Sequence, residues 1–165
     1  MLERIWSGWR AAYVGGDRAG SGAGSPFTQL LDSGEPDTAT NVVFRGDTVF
    51  AVMNLFPYAT GHLLVVPYRE VPDLTDLDPA ETQELWGVVT NGVVAVRSAY
   101  EPHGVNVGVN LGRPAGGSIP EHVHVHVVPR WTGDSNFMSA IANTQTLPEA
   151  LDASAERIRV AWPSA

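Results

Sequence analysis

The sequence predicts a single α+β domain, a five-stranded, mostly antiparallel sheet with one long helix and terminal helices. Three observations predict it. Two short apolar runs, Val42-Val43-Phe44 and Val49-Phe50-Ala51-Val52, flank the turn residues Arg45-Gly46-Asp47-Thr48, the pattern of a hairpin. One long helical pattern follows, from Asp78 to near Tyr100. Two later segments, Gly104 to Leu111 and His122 to Pro129, alternate apolar with other residues, which is the two-residue period of a strand. Hairpin-connected strands with a single helical crossover give a largely antiparallel sheet. At 165 residues, the chain fits one domain, 1–165, and can bury a sizeable core unaided. It contains no internal repeat and no dividing linker.

Each element has its own local reason. Leu2, Ile5, Trp6, Trp9 and Tyr13 recur at helical spacing, so an amphipathic helix opens the chain. The Gly/Ser-rich stretch 15–25 is expected to be a mobile loop. His62 to Pro67 is a continuous apolar run after Gly61 and makes the third strand. The long helix has a full start signal, with Asp78 as N-cap, Pro79 at the first helical position and Glu81 completing a capping box. Leu85, Val88, Val89, Val93 and Val96 form its apolar stripe. Between the last two strands lies a Gly/Pro loop, 112–120. Pro148 to Trp162 carries Leu151, Ala155, Ile158 and Trp162 and closes the chain as a helix.

Composition removes whole classes of function. No run approaches 18 apolar residues, so no membrane span is expected. The first ten residues lack the basic start and apolar run of a secretory signal, and a cytoplasmic location is the default expectation. The absence of cysteine excludes disulfides, thiolate nucleophiles and cysteine-based zinc sites. All ten basic residues are Arg, which excludes Schiff-base chemistry and the lysine-bearing P-loop. A net charge of −8 argues against sequence-independent nucleic-acid binding. A small polyphosphate requires a locally positive pocket, for which Arg113 and Arg130 are the nearest cations in sequence.

The most informative stretch is His122-Val123-His124-Val125-His126-Val127-Val128-Pro129. On a strand its three His point to one face, about 7 Å apart, and its Val residues point to the other. The Val face is expected against the long helix, and the imidazoles on an accessible face. Two chemistries suit such a row. It can hold zinc, or a neutral imidazole can attack phosphorus while protonated neighbours steady the phosphate oxygens. Spacing alone leaves both open.

With apolar residues between and after its three His, this stretch resembles the signature of the histidine-triad superfamily of nucleotide hydrolases and transferases. Gly61-His62-Leu63-Leu64-Val65-Val66-Pro67 resembles the family's Gly-His-strand-Pro element, and Asn54 lies at its ribose- or phosphate-contacting position. Asn106 to Asn110 and Ala115-Gly116-Gly117-Ser118 resemble its penultimate strand and phosphate loop. The resemblance runs from roughly residue 41 to 134. The sequence His-Val-His-Val-His-Val-Val-Pro-Arg, followed by Trp131, resembles the dinucleoside-polyphosphate branch. Within it, the Trp-rich start and the Asn, Gly and Ser at 110, 117 and 118 resemble diadenosine tetraphosphate phosphorylases of actinobacterial type.

The resemblance implies a fold, an activity and residue roles. His124 becomes the nucleophile, with Nδ1 oriented by a backbone carbonyl. His122 and His126 polarise the phosphate, and His62 packs beside them. Ser118 and the Gly117 amide bind the departing or attacking phosphate. Asn110 and Asn54 contact phosphate or ribose, Arg113 supplies positive charge and Trp131 covers a base or closes the core edge. Phe44, Phe50 and Phe56 are either core or the wall of a purine slot. A homodimer is implied, with a small nucleotide and possibly inorganic phosphate as ligands, and no cofactor. One departure stands out: relatives often carry Cys-Pro-Phe-Cys, part of a structural zinc site, where this chain has Ser25-Pro26-Phe27-Thr28. No metal is therefore expected. The departure keeps a second enzymatic reading alive, a hydrolase or nucleotidyltransferase acting on another AMP conjugate such as a phosphoramidate. A non-catalytic nucleotide- or metal-binding module is the third reading, and the intact His124 speaks against it.

Overall fold

In the computed structural model the described residues are 24–134 and 149–164. The expected first helix, Leu2 to Tyr13, and most of the Gly/Ser-rich loop lie outside them. The described elements run α1 (Pro26–Asp32), α2 (Asp37–Thr40), β1 (Val42–Arg45), β2 (Val49–Met53), β3 (Leu63–Pro67), α3 (Pro79–Tyr100), β4 (Gly104–Val109), β5 (Val125–Arg130) and α4 (Leu151–Ala161). Single helical turns occupy Leu74–Asp76 and Arg113–Ala115. The five strands form one antiparallel sheet in the order β1-β2-β3-β5-β4, as expected. The 22-residue α3 starts on the expected capping box, with Asp78 and Glu81 exchanging hydrogen bonds of 2.9 and 2.8 Å. Such a cap is worth about 1 kcal/mol.

Strand alternation splits the core in two. Ala51 and Met53 of β2, Leu63 and Val65 of β3, and Val125 and Val127 of β5 pack against Leu85, Val88, Val89 and Val96 of α3 and Ile158 of α4. The expectation that the Val residues of the last strand face the long helix holds at Val125 and Val127. Phe50, Val52, Leu64 and Val66 point the other way and pack against Phe27, Leu30 and Leu31 of α1. This second layer was not anticipated. Its signals are in the sequence: Ser25 is a good N-cap, Pro26 suits the first helical position, and Phe27, Leu30 and Leu31 share a face at helical spacing. Ser25 is buried and caps α1 by accepting from the Thr28 N–H at 3.2 Å, so the end of the supposed mobile loop is fixed.

Two strand limits differ from expectation. The strand expected from Gly104 to Leu111 ends at Val109, leaving Asn110 at its mouth. The last strand begins at Val125 rather than His122. The β3–β5 ladder covers only Leu63–Val65 against Val125–Val127. Beyond it, a side chain replaces the ladder: His122 Nε2 donates to the Pro67 carbonyl at 2.8 Å.

Candidate active site

His62 precedes β3 and shares the parity of Leu64 and Val66, while His126 lies opposite Leu64 on β5. Both histidines therefore face the α1 side of the sheet. Gly61 sets the entry to β3. It has φ +78°, and a Cβ there would stand 2.6 Å from the Tyr100 ring, so only glycine fits.

The four rings form one buried cluster. His124 and His126 are 5.0 Å apart edge to face, and His62 and His126 are 5.2 Å apart. Phe27 lies edge-on to His122 and His124, and the Tyr58 ring stacks beside His126 at 5.8 Å. The expected accessible row is thus corrected: His62 and His122 are 0% exposed, His124 5% and His126 9%. Helix α1 covers the face, and the two His before the strand tie back to backbone carbonyls instead of standing upright on a pleat.

Carbonyl oxygens only accept, so hydrogen bonds assign the ring protons. His124 Nδ1–H donates to the His122 carbonyl at 2.8 Å, which leaves the lone pair on Nε2. The Tyr58 N–H donates to His62 Nδ1 at 2.9 Å. The His62 proton is therefore on Nε2 and is donated to His126 Nδ1 at 3.0 Å. An accepting Nδ1 leaves the His126 proton on Nε2. Burial drives His62, His122 and His124 toward neutral rings. Desolvation, followed by the neighbouring His126 and His124, lowers the pKa of His62 to about 3, and desolvation also lowers His122 and His124. At His122 the protonated neighbour expected for phosphate chemistry is therefore disfavoured, and His62 and His122 stand as neutral N–H donors, because charge is costly where water is excluded.

The remaining expected residues divide. The Asn110 side-chain amide lies 3.5 Å from His126 Nε2, where the proton assigned to that nitrogen calls for the amide oxygen to face the ring. Asn54 Nδ2 lies 3.3 Å from His62 Nδ1, and its Oδ1 accepts from the Phe56 N–H at 3.0 Å. Gly117 is buried, and a Cβ there would meet the Gly112 carbonyl at 3.0 Å. Its N–H already donates to that carbonyl at 3.2 Å, so it shapes the loop and its amide is not offered to an anion. Ser118 follows it, partly exposed. Arg113 sits exposed in the helical turn of the same loop. Arg130 is held by Asp134 at 2.6 Å and by the Asn106 side chain at 2.8 Å. Trp131 lies edge-on to Tyr100 of α3, which makes it an edge residue on the helix side. Phe44 stacks on Trp162 and Phe50 on Tyr68, so both are core, whereas Phe56 is exposed. Ser25, Phe27, Tyr58 and Glu70 enter the site without having been expected there as functional groups. Glu70 carried no sequence signal, because its partners lie 42 and 45 residues away.

The segment Ser25-Pro26-Phe27-Thr28, where the resemblance implies thiolates, holds oxygen donors instead. The Ser25 and Thr28 hydroxyls stand there with Glu70 and His122, bonded to one another. Alcohol oxygens are poor ligands for zinc, which takes thiolate, imidazole or carboxylate. Among the described residues, no group of three or more His, Cys, Asp or Glu is placed to hold a metal ion. Zinc does not fit this donor set.

A buried cluster of four imidazoles on one face of a five-stranded antiparallel sheet is the arrangement this fold builds. The comparisons make that specific. The HIT domain model matches residues 35–133, and the chain belongs to the histidine-triad family. AP-4-A phosphorylase of Mycobacterium tuberculosis is 39% identical over 168 residues, covering 98% of this chain and 85% of that protein. The asymmetrical bis(5'-nucleosyl)-tetraphosphatase of Schizosaccharomyces pombe is 37% identical over 95 residues, 58% of this chain and 52% of that one. Among solved structures, a Hit-like protein from Bartonella henselae superposes with a TM-score of 0.67 at 29% identity, covering 82% of this chain and 93% of that one. A zinc-bound histidine triad protein from Mycobacterium smegmatis gives 0.66 at 25% identity, over 82% and 90%.

Proposed function

We propose that the protein cleaves dinucleoside polyphosphates, diadenosine tetraphosphate foremost, through a nucleotidyl-His124 intermediate, and passes the nucleotidyl group to inorganic phosphate. The observation that carries the reading is the 2.8 Å bond from His124 Nδ1–H to the His122 carbonyl. It fixes the ring proton on Nδ1, burial disfavours a second proton, and the Nε2 lone pair is available to attack. Similarity to AP-4-A phosphorylase along 98% of the chain supports the substrate class.

Nε2 attacks the α-phosphorus, the N–P bond forms, and the bridging P–O bond breaks with its electron pair leaving on ATP. The His126 Nε2–H, fixed there by His62, stabilises a non-bridging oxygen of the transferring group. A phosphate oxygen then attacks the same phosphorus, the N–P bond breaks, and ADP leaves with His124 restored. Ser118 and the neutral amide of Asn110 hold the incoming phosphate without adding negative charge, Asn54 contacts the ribose, and Arg113 supplies local positive charge in an otherwise acidic chain. Two copies pair as a homodimer through β4, in the cytoplasm. No helix among the described residues is long and apolar enough to cross a membrane.

The test is product identity. With diadenosine tetraphosphate and phosphate, ATP and ADP should form faster than any hydrolysis. Replacing Ser118 or Asn110 should slow the phosphate-dependent rate more than it weakens nucleotide binding. ATP and AMP appearing at equal rates with and without phosphate would assign hydrolysis instead. No turnover of either kind would point to another AMP conjugate.

A further inference from the structure

We propose that Ser25, anchored by Glu70, is a positioning residue for the nucleophile: its hydroxyl donates to Nδ1 of His122 and so fixes the backbone whose carbonyl orients His124. The proposal rests on the reading of His124 as nucleophile. It explains what stands where zinc does not fit.

With a neutral His122 ring the hydrogen bonds admit one assignment. Glu70 Oε2 accepts from the Ser25 N–H at 2.7 Å and from the Thr28 hydroxyl at 2.7 Å. The Thr28 proton is thereby committed, so the 3.2 Å contact between the two hydroxyl oxygens could only be a donation from Ser25, and it is much longer than the 2.6 Å approach of Ser25 Oγ to His122 Nδ1. Ser25 Oγ accepts from the Thr28 N–H at 3.2 Å and lies 2.6 Å from His122 Nδ1. His122 Nε2–H is committed to the Pro67 carbonyl at 2.8 Å. A neutral ring with its proton on Nε2 has a bare Nδ1, and the Ser25 O–H donates to it. Both residues are buried, with Ser25 1% and His122 0% exposed. The His122 ring is therefore held on both nitrogens, and its own carbonyl holds His124.

Burial keeps His122 neutral, as this arrangement requires. The two amide and hydroxyl donors hold the Glu70 carboxyl below its ordinary range, so it is an anionic anchor at neutral pH. Glu70 thus reaches His124 through Ser25 and His122. A small error in the nucleophile's aim costs rate more than affinity, because it acts on the attack geometry.

Ser25 also caps α1, and the test must separate the two roles. Ser25→Gly keeps an acceptable cap but has no hydroxyl; Ser25→Thr keeps both. The expected result for Ser25→Gly is a roughly tenfold loss of kcat with KM little changed and a melting temperature close to wild type. The His122 Nδ1 nitrogen resonance should move to the position of an unbonded ring nitrogen. Ser25→Thr should recover most of the kcat and the bonded resonance. Glu70→Ala, which leaves the cap in place, should lower kcat in the same direction by a smaller factor. Wild-type kcat in both Ser25→Gly and Glu70→Ala would overturn the proposal, and so would a proton on His122 Nδ1 in the free wild-type enzyme. The resonance is read without substrate. A wrong assignment of His124 would leave it unchanged and appear instead as a missing covalent adduct.

Discussion

Burial disfavours charge on His62, His122 and His124, and the same burial ties stability to pH. His62 ionises near 3 when folded, against an ordinary 6.5. Below pH 6.5 the unfolded chain therefore binds a proton that the folded chain refuses. Stability is fully present above 6.5 and is lost as pH falls from there toward 3, at about 1.4 kcal/mol per pH unit for His62 alone. The depressed values at His122 and His124 act in the same direction. Urea unfolding at pH 7.5 and pH 5 should show a clearly lower stability at pH 5, and equal stabilities would contradict the neutral cluster. At this scale the sequence carried the identities and the parity of His62 and His126. It could not carry the protonation, because the cover that excludes water comes from Phe27, distant in sequence, and from the Tyr58 ring laid back over His62 and His126.

Among the elements, the sheet and α3 were legible because each signals itself locally, through apolar runs in β1 to β3, alternation in β4 and β5, and the Asp78–Glu81 box in α3. Helix α1 was missed because its seven residues follow a Gly/Ser-rich stretch whose composition suggests a loop, and its helical face is short. The start of β5 was missed because a side chain of His122 does a backbone's work at Pro67. The entry to β3 gives the sharpest element-scale prediction. Gly61 lies at φ +78° against the Tyr100 ring. Gly61→Ala must take a left-handed conformation, costing roughly 1–2 kcal/mol, and must also displace that ring. The variant should lose at least that much stability in urea unfolding and lose activity as His62 shifts. A variant as stable as wild type would contradict the packing described at β3.

For the whole molecule, the order β1-β2-β3-β5-β4 leaves β4 at an end of the sheet, with Val107 43% exposed. An unpaired edge with an exposed apolar side chain is a template for pairing with a second chain. Sedimentation should show a dimer at micromolar concentration, and Val107→Asp should shift it toward monomer; a stable wild-type monomer would remove the dimer from the account. In a chain of net charge −8, the proposed polyphosphate site would draw its attraction for anions from fixed N–H donors and Arg113 rather than from the overall field. What the fold, the proton assignments and the family membership jointly support is covalent catalysis by His124. Rapid quenching of enzyme turning over diadenosine tetraphosphate, followed by mass spectrometry of the peptides, tests that most directly. The account predicts a nucleotidyl adduct on His124, absent from His124→Ala, which should remain folded and catalytically dead. Turnover by the His124→Ala protein, or an adduct on another residue, would contradict it.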